Sequence, residues 1–377
     1  MRVCYFGTYD RDYIRNRVII EGLRANGVEV VECHVPLWRG TEHKIRTVER
    51  GPLRPGLIGR ILGSYLRLLK RYFQIGSYDA LIVGYAGHLD VFLAKPLTAL
   101  GRRPLIFDAF LSLHDTLVLD RGLVRPKSLL ARLVYLVDKY ACLVADLVLL
   151  DTNAHIKHFR TKFGVRADKF RCVPVGADDG CYRPLPKSGE DGLFKVLYFG
   201  KYIPLHGVEY IVRAAKELEG CADIIFEFIG KGQRYEAVRA MADELDLGNI
   251  AWVEEWLDPP ALARRIAEAD VCLGIFGTSK KAKLVIPTKV YVALAMGKPV
   301  ITGDSPAARE FLVNGENALL CEMGNPQALA RAVLLLKRDA QLRRKLAEQG
   351  YRCFREKFSP KAIGAEVKES LIALLSE

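Results

Sequence analysis

The chain has 377 residues, of which 50% are hydrophobic and 27% are charged, so it is globular with sizeable cores rather than disordered or fibrous. Its length suits two domains of about 150–200 residues each. Its net charge of +12 is uneven, because residues 1–186 hold 29 Lys and Arg against 18 Asp and Glu (+11), and residues 187–377 hold 27 against 26 (+1). This excess of positive charge predicts that the first half of the chain binds a partner with an anionic surface.

Export and membrane insertion are not indicated by the sequence. Residues 2–6 form a strand pattern without the basic-then-apolar leader of exported proteins. Nine scattered cysteines without a C-x-x-C pair predict reduced, mostly buried thiols. The longest apolar stretch, 129–150, contains four charged residues and predicts a buried helix followed by a strand. These patterns predict a cytoplasmic protein.

Short apolar runs alternate with helical patterns along the whole chain. In the first half we predict strands at 2–6, 28–35, 80–83, 104–107 and 146–150, and helices near 12–26, 57–74, 89–100 and 127–142. In the second half we predict strands at 194–200, 224–229, 250–253, 271–275, 299–302 and 318–320. The helices there are predicted near 207–218, 233–245, 259–268, 288–296, 306–312, 326–336 and 339–355. Such alternation predicts an α/β protein with a doubly wound parallel sheet in each half.

Turn-forming residues separate the two halves. We predict a first domain over 1–183, a linker over 184–192 and a second domain over 193–357. A C-terminal helix within 358–377 starts at a Ser-Pro pair and is predicted to pack back toward the first domain. Ligands of open α/β sheets bind outside the carboxyl ends of the strands, so site residues are expected in the loops there.

Four common loop motifs do not occur: G-x-x-x-x-G-K-[ST], G-x-G-x-x-G after a strand, H-E-x-x-H and G-x-S-x-G. Their absence argues against P-loop enzymes and dinucleotide-dependent dehydrogenases. The segment 286–301 is more informative, because Pro287 and Thr288 start a short helix that ends in a Gly-Lys-Pro turn. The N–H groups at that helix start, together with Lys289, suit a diphosphate; an ordinary helix–turn–strand is the alternative.

This segment resembles the donor-site helix of group 1 glycosyltransferases of the family 4 type, which have the GT-B fold of two Rossmann-like domains facing across a cleft. The resemblance implies that the second half binds a nucleoside diphosphate sugar. It places donor-binding groups at Lys201, at His206, at the Gly230 turn, and at Thr288 and Lys289. For His206 the alternative is a loop histidine that caps the next helix.

Two positions depart from the family pattern. Members usually carry two glutamates, one contacting the sugar and one accepting the ribose hydroxyls, and the corresponding residues here are Leu284 and Val292. Neither side chain accepts a hydrogen bond, and a missing charged hydrogen bond is worth about 1.5–3 kcal/mol. An altered donor mode, a catalytically impaired protein and a deliberately substituted sequence are all open. Nearby, Lys280, Lys281 and Lys283 either meet donor phosphate or form a solvated face.

In the first half, the resemblance places site residues in the loops after the first, third and fourth strands. The predicted residues are Gly7 near the donor, Arg15, Asn16 and His88 at the acceptor, and Asp108, His114 and Asp115 as catalytic candidates. Asp108 is the leading candidate for positioning the acceptor, and carboxylates that cap the following loop are the alternative. Arg15 either binds acceptor or phosphate or is a solvent-exposed helix arginine.

Residues 54–73 form a basic amphipathic pattern. Such a helix either lies on an anionic membrane or faces the core with a basic outer side. The membrane alternative, with the charge of the first half, indicates a lipid-linked saccharide acceptor at the inner membrane face. Nucleic acid is not an expected partner, since no recognition motif accompanies the charge.

The sequence as a whole predicts a glycosyltransferase that moves a sugar from a nucleoside diphosphate sugar to a hydroxyl acceptor. The family resemblance implies retention of anomeric configuration, no cofactor and no obligatory metal. Two alternatives share the fold: a non-catalytic partner protein that has lost its donor chemistry, and a sugar-nucleotide 2-epimerase.

Overall fold

The computed structural model of the chain describes residues 1–37, 55–189 and 191–376. It divides into two compact units: unit 1 is Met1–Pro174 together with Pro360–Glu377, and unit 2 is Val175–Ser359. Each unit contains a six-stranded sheet whose neighbouring strands are parallel. The predicted pair of doubly wound sheets is therefore confirmed.

Unit 1 has the sheet order β2-β1-β3-β4-β5-β6. Its strands are β1 (Arg2–Gly7), β2 (Glu29–His34), β3 (Ala80–Val83), β4 (Leu105–Phe110), β5 (Leu147–Leu150) and β6 (Phe170–Cys172). Its described α-helices are α1 (Ile14–Ala25), α2 (Pro55–Tyr72), α3 (Asp90–Leu100), α4 (Leu129–Val144), α5 (Asn153–Phe163) and the C-terminal α12 (Pro360–Ser376). The strand order reverses between β1 and β3, so a ligand crevice is expected at their carboxyl ends.

The helices of unit 1 cover both faces of its sheet. Along β1, Cys4 and Phe6 belong to a core that also contains buried residues of α2, α3, α4 and α5. Val3 and Tyr5, which point to the other face, belong to a core shared with α1 and α12. The alternation of β1 therefore assigns four helices to one face and two to the other.

Helices α1 and α12 meet at a close glycine contact. A Cβ atom on Gly22 would lie 2.1 Å from the carbonyl oxygen of Pro360, and one on Gly364 would lie 1.9 Å from the carbonyl carbon of Gly22. The Asn26 side chain donates to the carbonyl of Lys361 at 2.8 Å. The two backbones are thus in direct contact, which ties the end of the chain to unit 1.

We expect Gly364→Ala to lower the free energy of unfolding by about 1–3 kcal/mol, because the added methyl group must push one helix backbone away from the other. Urea unfolding followed by circular dichroism measures this effect. Gly63→Ala in α2 is the matched control, since its Cβ atom would meet nothing within 4 Å, and we expect a gain of about 0.5–1 kcal/mol there. Equal losses in both variants would contradict the close contact.

Unit 2 has the sheet order β12-β11-β10-β7-β8-β9. Its strands are β7 (Phe194–Phe199), β8 (Ile224–Ile229), β9 (Ile250–Val253), β10 (Val271–Leu273), β11 (Val300–Gly303) and β12 (Leu319–Cys321). Its described α-helices are α6 (Val208–Glu217), α7 (Tyr235–Glu244), α8 (Pro259–Glu268), α9 (Thr288–Ala295), α10 (Pro326–Arg338) and α11 (Ala340–Cys353). The strand order reverses between β7 and β10, where dinucleotide-binding sheets of this order hold their ligand.

The structure differs from the sequence prediction in a few elements. Strand β6 has no predicted counterpart, because a three-residue strand is too short for periodicity to indicate it. Helix α5 also has no predicted counterpart. The helix predicted at 306–312 is only a 3-10 turn, Ala308–Glu310. Helix α4 is predicted to be buried, but one of its sides is exposed. All nine cysteines are free thiols, six of them buried. No helix in the described ranges is long and apolar enough to cross a membrane.

Candidate functional site

In unit 2, glycines bring together the loops that follow β7 and β10. Gly207 has φ +62°, and a Cβ atom there would lie 2.3 Å from the amide nitrogen of Gly277. A Cβ atom on Gly277 would lie 2.5 Å from the carbonyl oxygen of Leu205. The amide of Phe276 donates to the carbonyl of His206 at 3.0 Å. The two loops therefore pack backbone to backbone at the reversal in strand order.

Lys289 lies at this point, in the first turn of α9. Its side chain is buried, and its Nζ atom lies 3.6 Å from the centre of the Tyr198 ring and 3.3 Å from His206 Nδ1. A Cβ atom on Gly200 would lie 3.4 Å from the same Nζ, so the amine sits against the end of β7. Helix α9 begins at Thr288, which is half-buried, without a side-chain cap. The structure thus brings Lys289, His206 and an uncapped helix start together.

The protonation of Lys289 is set by its surroundings. Burial lowers the pKa of Lys289 well below its ordinary value, and no carboxylate in the described part of the chain forms an ion pair with it. The cation–π contact with Tyr198 acts in the opposite direction and favours the charged form, by about 2 kcal/mol or more where such a contact is desolvated. A negatively charged group beside Nζ would raise the pKa of Lys289 again and favour the charged amine.

His206 is held by the same loop. Its Nδ1 lies 2.5 Å from the carbonyl oxygen of Lys201 and 2.9 Å from the hydroxyl of Tyr198. Because a carbonyl only accepts, Nδ1 carries the hydrogen in this arrangement. Helix α6 starts after Gly207, which has no side chain to cap it. The side chain of Lys201 is half-buried.

The other predicted donor residues differ in how deeply they are buried and in what they contact. Gly230 directly follows β8 and has φ +115°; a Cβ atom there would lie 2.4 Å from the carbonyl oxygen of Gly200, so this turn packs on the loop after β7. Val292 is buried in α9 and Leu284 is half-buried. Of the three lysines between β10 and α9, Lys281 is buried, whereas those at 280 and 283 are exposed.

In unit 1, Arg15 and Asp108 form an ion pair in which both side chains are fully buried. Arg15 Nη2 donates to Asp108 Oδ1 at 2.8 Å, and Nε lies 3.1 Å from both carboxylate oxygens. Nη1 donates to the carbonyls of Val173 and Pro174. Burial raises the pKa of Asp108, although the Arg15 charge acts against that rise. The alternative that Arg15 is solvent-exposed is therefore wrong.

His114 and Asp115 belong to a second polar cluster beyond β4. Asp115 accepts hydrogen bonds from His158 Nε2 at 2.7 Å and from Lys162 Nζ. The same Lys162 Nζ lies 2.8 Å from His114 Nδ1. Burial acts to raise the pKa of Asp115, but hydrogen bonds from His158 and Lys162 hold it well below its usual range. Burial and the Lys162 charge lower the pKa of His114. The Asp115 carboxylate is therefore ionised, and it already accepts hydrogen bonds from His158 and Lys162.

Asp138, which no sequence motif marks as a site residue, anchors the same loop. It accepts from Ser112 Oγ at 2.6 Å and from the amide of His114 at 2.9 Å, and burial raises its pKa to about 6. Buried His88 reaches the loop as well, with Nε2 3.0 Å from the carbonyl of Leu111. The predicted acceptor residue His88 thus positions the loop after β4.

The loop after β1 is fixed by buried polar contacts. Gly7 has φ +135°, and a Cβ atom there would lie 2.5 Å from Asp90 Oδ2, which accepts from the amide of Thr8 at 2.6 Å. Asn16 is fully buried; its Nδ2 donates to the carbonyl of Tyr85 at 2.6 Å. Gly7 and Asn16 therefore fix the loops at the carboxyl ends of β1 and β3, where the strand order predicts a ligand crevice.

Three aromatic side chains stand at that crevice, and sequence patterns do not indicate them. The ring of Tyr85 lies 4.8 Å from that of Tyr13 and 4.9 Å from that of Phe110, centre to centre. All three are half-buried; Tyr13 and Tyr85 lie in the loops after β1 and β3, and Phe110 is the last residue of β4. Aromatic residues so far apart in sequence carry no periodic signal, and only the strand order brings them together. Tyr198 of β7 is missed because its contact with Lys289 depends on tertiary packing.

Comparison with known proteins finds a family match within the second half of the chain. Residues 186–352 match the family described as glycosyl transferases group 1. The chain is 24% identical over 168 residues to the lipopolysaccharide core biosynthesis glycosyltransferase LpsE of Rhizobium meliloti, covering 45% of this chain and 46% of that protein. It is 28% identical over 171 residues to an uncharacterized glycosyltransferase of Methanocaldococcus jannaschii, covering 43% of each. The chain thus spans about half the length of these curated relatives.

Solved structures resemble the whole chain at lower identity. Sucrose-phosphate synthase from Thermosynechococcus elongatus superposes with a TM-score of 0.72 at 17% identity, covering 100% of this chain and 99% of that one. HepE of Anabaena, solved in complex with UDP, superposes with a TM-score of 0.71 at 16% identity, covering 99% of each. These likenesses confirm the predicted GT-B fold of two Rossmann-like domains.

Proposed function

We propose, from the premise that residues 186–352 form a group 1 glycosyltransferase domain, that the protein transfers a sugar from a nucleoside diphosphate sugar to a hydroxyl acceptor. The observation that carries the proposal is buried Lys289 at an uncapped helix start, beside His206 and at the reversal of strand order. A helix start with a buried amine suits a diphosphate leaving group, whose developing charge needs fixed positive groups.

The donor diphosphate would lie between the start of α9 and the loop after β7. There Thr288 and Lys289 would face it from one side, and Lys201 and His206 from the other. Gly230 would leave room for the nucleoside near the turn after β8. Two similar proteins agree with this class of ligand, since HepE of Anabaena was solved with UDP and LpsE of Rhizobium meliloti is a lipopolysaccharide core biosynthesis glycosyltransferase. Retention of configuration and independence of metal belong to this proposal and follow from the family resemblance.

The acceptor would bind in unit 1, in the crevice between the carboxyl ends of β1 and β3. The half-buried rings of Tyr13, Tyr85 and Phe110 offer apolar faces of the kind on which sugar rings pack. Catalytic roles for Asp108, His114 and Asp115, and acceptor contacts of Arg15, Asn16 and His88, stay predictions. The fully buried Arg15–Asp108 pair favours a positioning role, in which it holds the loops of this crevice.

The acceptor is proposed to be a lipid-linked saccharide at the cytoplasmic face of the inner membrane. Two observations support it: the balance of +11 in residues 1–186, and the basic residues of α2, with Arg60, Arg67 and Lys70 on its described part. Arg54, at the start of the predicted 54–73 helix, lies outside the described residues.

Titration calorimetry with UDP, GDP, ADP and TDP tests the donor half of the proposal. We expect one of the four to bind at micromolar to millimolar concentration, the range in which nucleotide substrates bind enzymes. Binding should weaken in high salt, because the contact is with an anion. If none of the four bound at millimolar concentration, the donor proposal would be wrong. Free epimer formed from the sugar nucleotide without any acceptor would point instead to the 2-epimerase alternative.

The buried Val292 favours a second candidate, a partner protein with impaired donor binding. Val292→Glu separates the two, with Val292→Gln as the matched uncharged variant. We expect Val292→Glu to raise the affinity for the bound nucleoside diphosphate by roughly 10-fold or more, if the ribose lies over α9 as in the family. Unchanged affinity would show that the ribose is held elsewhere.

A further inference from the structure

Helix α4 exposes an apolar stripe along one of its sides. Its members are 37% to 82% exposed and are Leu129, Leu133, Leu136, Tyr140 and Leu143. They recur every three or four residues, which places them on one side of the helix. The other side is buried in the core of unit 1 through Ala141 and Cys142. The sequence pattern of 129–150 therefore contains more apolar residues than the core uses.

The neighbouring helices continue this surface. Helices α2, α3 and α4 all contribute to the core on the same face of the sheet, and α3 packs between the other two. On their solvent sides, Leu62 and Leu66 of α2 are more than half exposed, and Phe92 of α3 is 39% exposed. We call the solvent sides of these three helices the outer face. Exposed apolar side chains on three neighbouring helices are more than the single, scattered ones that are normal on the surface of a soluble protein.

The charge of the outer face is entirely of one sign. The acidic residues in the sequences of these three helices are Asp90 and Asp138, and both are buried. The exposed charged residues are basic and include Arg67 and Lys70 of α2 and Arg132 of α4. A second copy of this chain would bring like charges together across such a contact. An anionic surface would satisfy the cations and the apolar side chains at once.

We propose that the outer face docks on an anionic lipid bilayer, with the α4 stripe inserted among the headgroups. Leucine side chains would enter the acyl boundary, Tyr140 would sit at the headgroup level as interfacial tyrosines do, and the Arg and Lys side chains would meet lipid phosphates. This inference extends the membrane contact proposed above from α2 to α4 and rests on that part of the proposed function. It does not depend on the donor site in unit 2.

Vesicle flotation with the full chain tests the docking surface. The vesicles contain phosphatidylcholine alone, or phosphatidylcholine mixed with phosphatidylglycerol. We expect the wild-type protein to float with the mixed vesicles and not with phosphatidylcholine alone. The double variant Leu133→Gln with Leu136→Gln should lower the partition coefficient by roughly 10-fold or more, because two inserted apolar side chains are lost. Arg67→Gln with Lys70→Gln should lower it by roughly fivefold per charge removed.

The matched control is Ile372→Gln with Leu375→Gln on α12, which packs on the opposite face of the sheet and exposes these two side chains by 49% and 42%. It should bind vesicles as the wild type does. Equal binding by the α4 variant and the wild type would overturn the inference. So would a wild-type dimer that the α4 variant converts to a monomer in sedimentation without lipid, since the face would then join two copies.

Nucleotide calorimetry on the same proteins keeps the two proposals apart. Loss of flotation with unchanged nucleotide binding supports the docking surface and shows that the variant is folded. Flotation without binding of any of the four nucleotides would leave the docking surface in place and remove the donor proposal.

Discussion

Lys289→Met is expected to weaken binding of the nucleoside diphosphate by roughly 10- to 150-fold. A hydrogen bond to a charged group is worth about 1.5–3 kcal/mol, which corresponds to that range of affinity. Methionine keeps most of the length and volume of the lysine side chain, so the core around Tyr198 stays filled. Calorimetric titration with the nucleotide that binds the wild-type protein measures the loss.

The pH dependence of nucleotide binding is a second, independent test of the contact between Lys289 and the diphosphate. Burial lowers the pKa of Lys289 in the free protein, and an adjacent phosphate charge would raise it again. Nucleotide binding should therefore take up a proton, and affinity should fall as pH rises through the interval between the two pKa values. Titrations in buffers of different ionisation heat reveal this uptake. Lys289→Met should lose the share of this proton uptake that Lys289 contributes.

The control is Lys216→Met, which removes an exposed lysine of α6 that pairs with Glu219. It should bind the nucleotide as the wild type does. Lys289→Met should be no less stable than the wild type, because it removes an amine whose burial is unfavourable when charged. Wild-type affinity and proton uptake in the Met variant would show that the diphosphate does not lie against α9.

The fold of this protein could be predicted because it depends on local patterns. Mostly apolar strands such as Ala80–Val83 and Ile224–Ile229 alternate with amphipathic helices, and both kinds of element are visible in short windows of sequence. The three-residue Phe170–Cys172 lacks such a pattern, and its strand exists because it completes the edge of a sheet. The apolar side chains of α4 show the limit of hydropathy alone, since core and exposed sides both contain leucine.

The candidate site could be predicted only in part, for a related physical reason. The helix start at Lys289 is a local feature, and the sequence indicates it directly. Its contacts with Tyr198 and His206 depend on the pairing of β7 with β10, which no periodicity records. Likewise, Arg15 in α1 is a helix arginine in sequence, and only the sheet order shows that Asp108 stands beside it.

Asp108→Ala is expected to lower the free energy of unfolding by about 3–5 kcal/mol, because it leaves the Arg15 guanidinium buried without its partner. Both side chains have no exposed surface, so water cannot replace the lost carboxylate. The remaining hydrogen bonds of Arg15 go to the uncharged carbonyls of Val173 and Pro174 and do not neutralise its charge. Urea unfolding followed by circular dichroism measures the loss.

Two further variants separate the ion pair from the general cost of a core substitution. Removing both charges, in Arg15→Met with Asp108→Leu, should recover much of the stability, because an apolar pair of similar volume carries no desolvation cost. Asp168→Ala removes one partner of the exposed pair that Asp168 forms with Arg166, and it should unfold with the wild type. If the double variant were as unstable as Asp108→Ala, the loss would reflect packing rather than an unpaired buried charge. If the double variant folds and still binds nucleotide but transfers no sugar, the pair positions the acceptor crevice as well as stabilising it. Full transfer activity in that variant would assign the pair to stability alone.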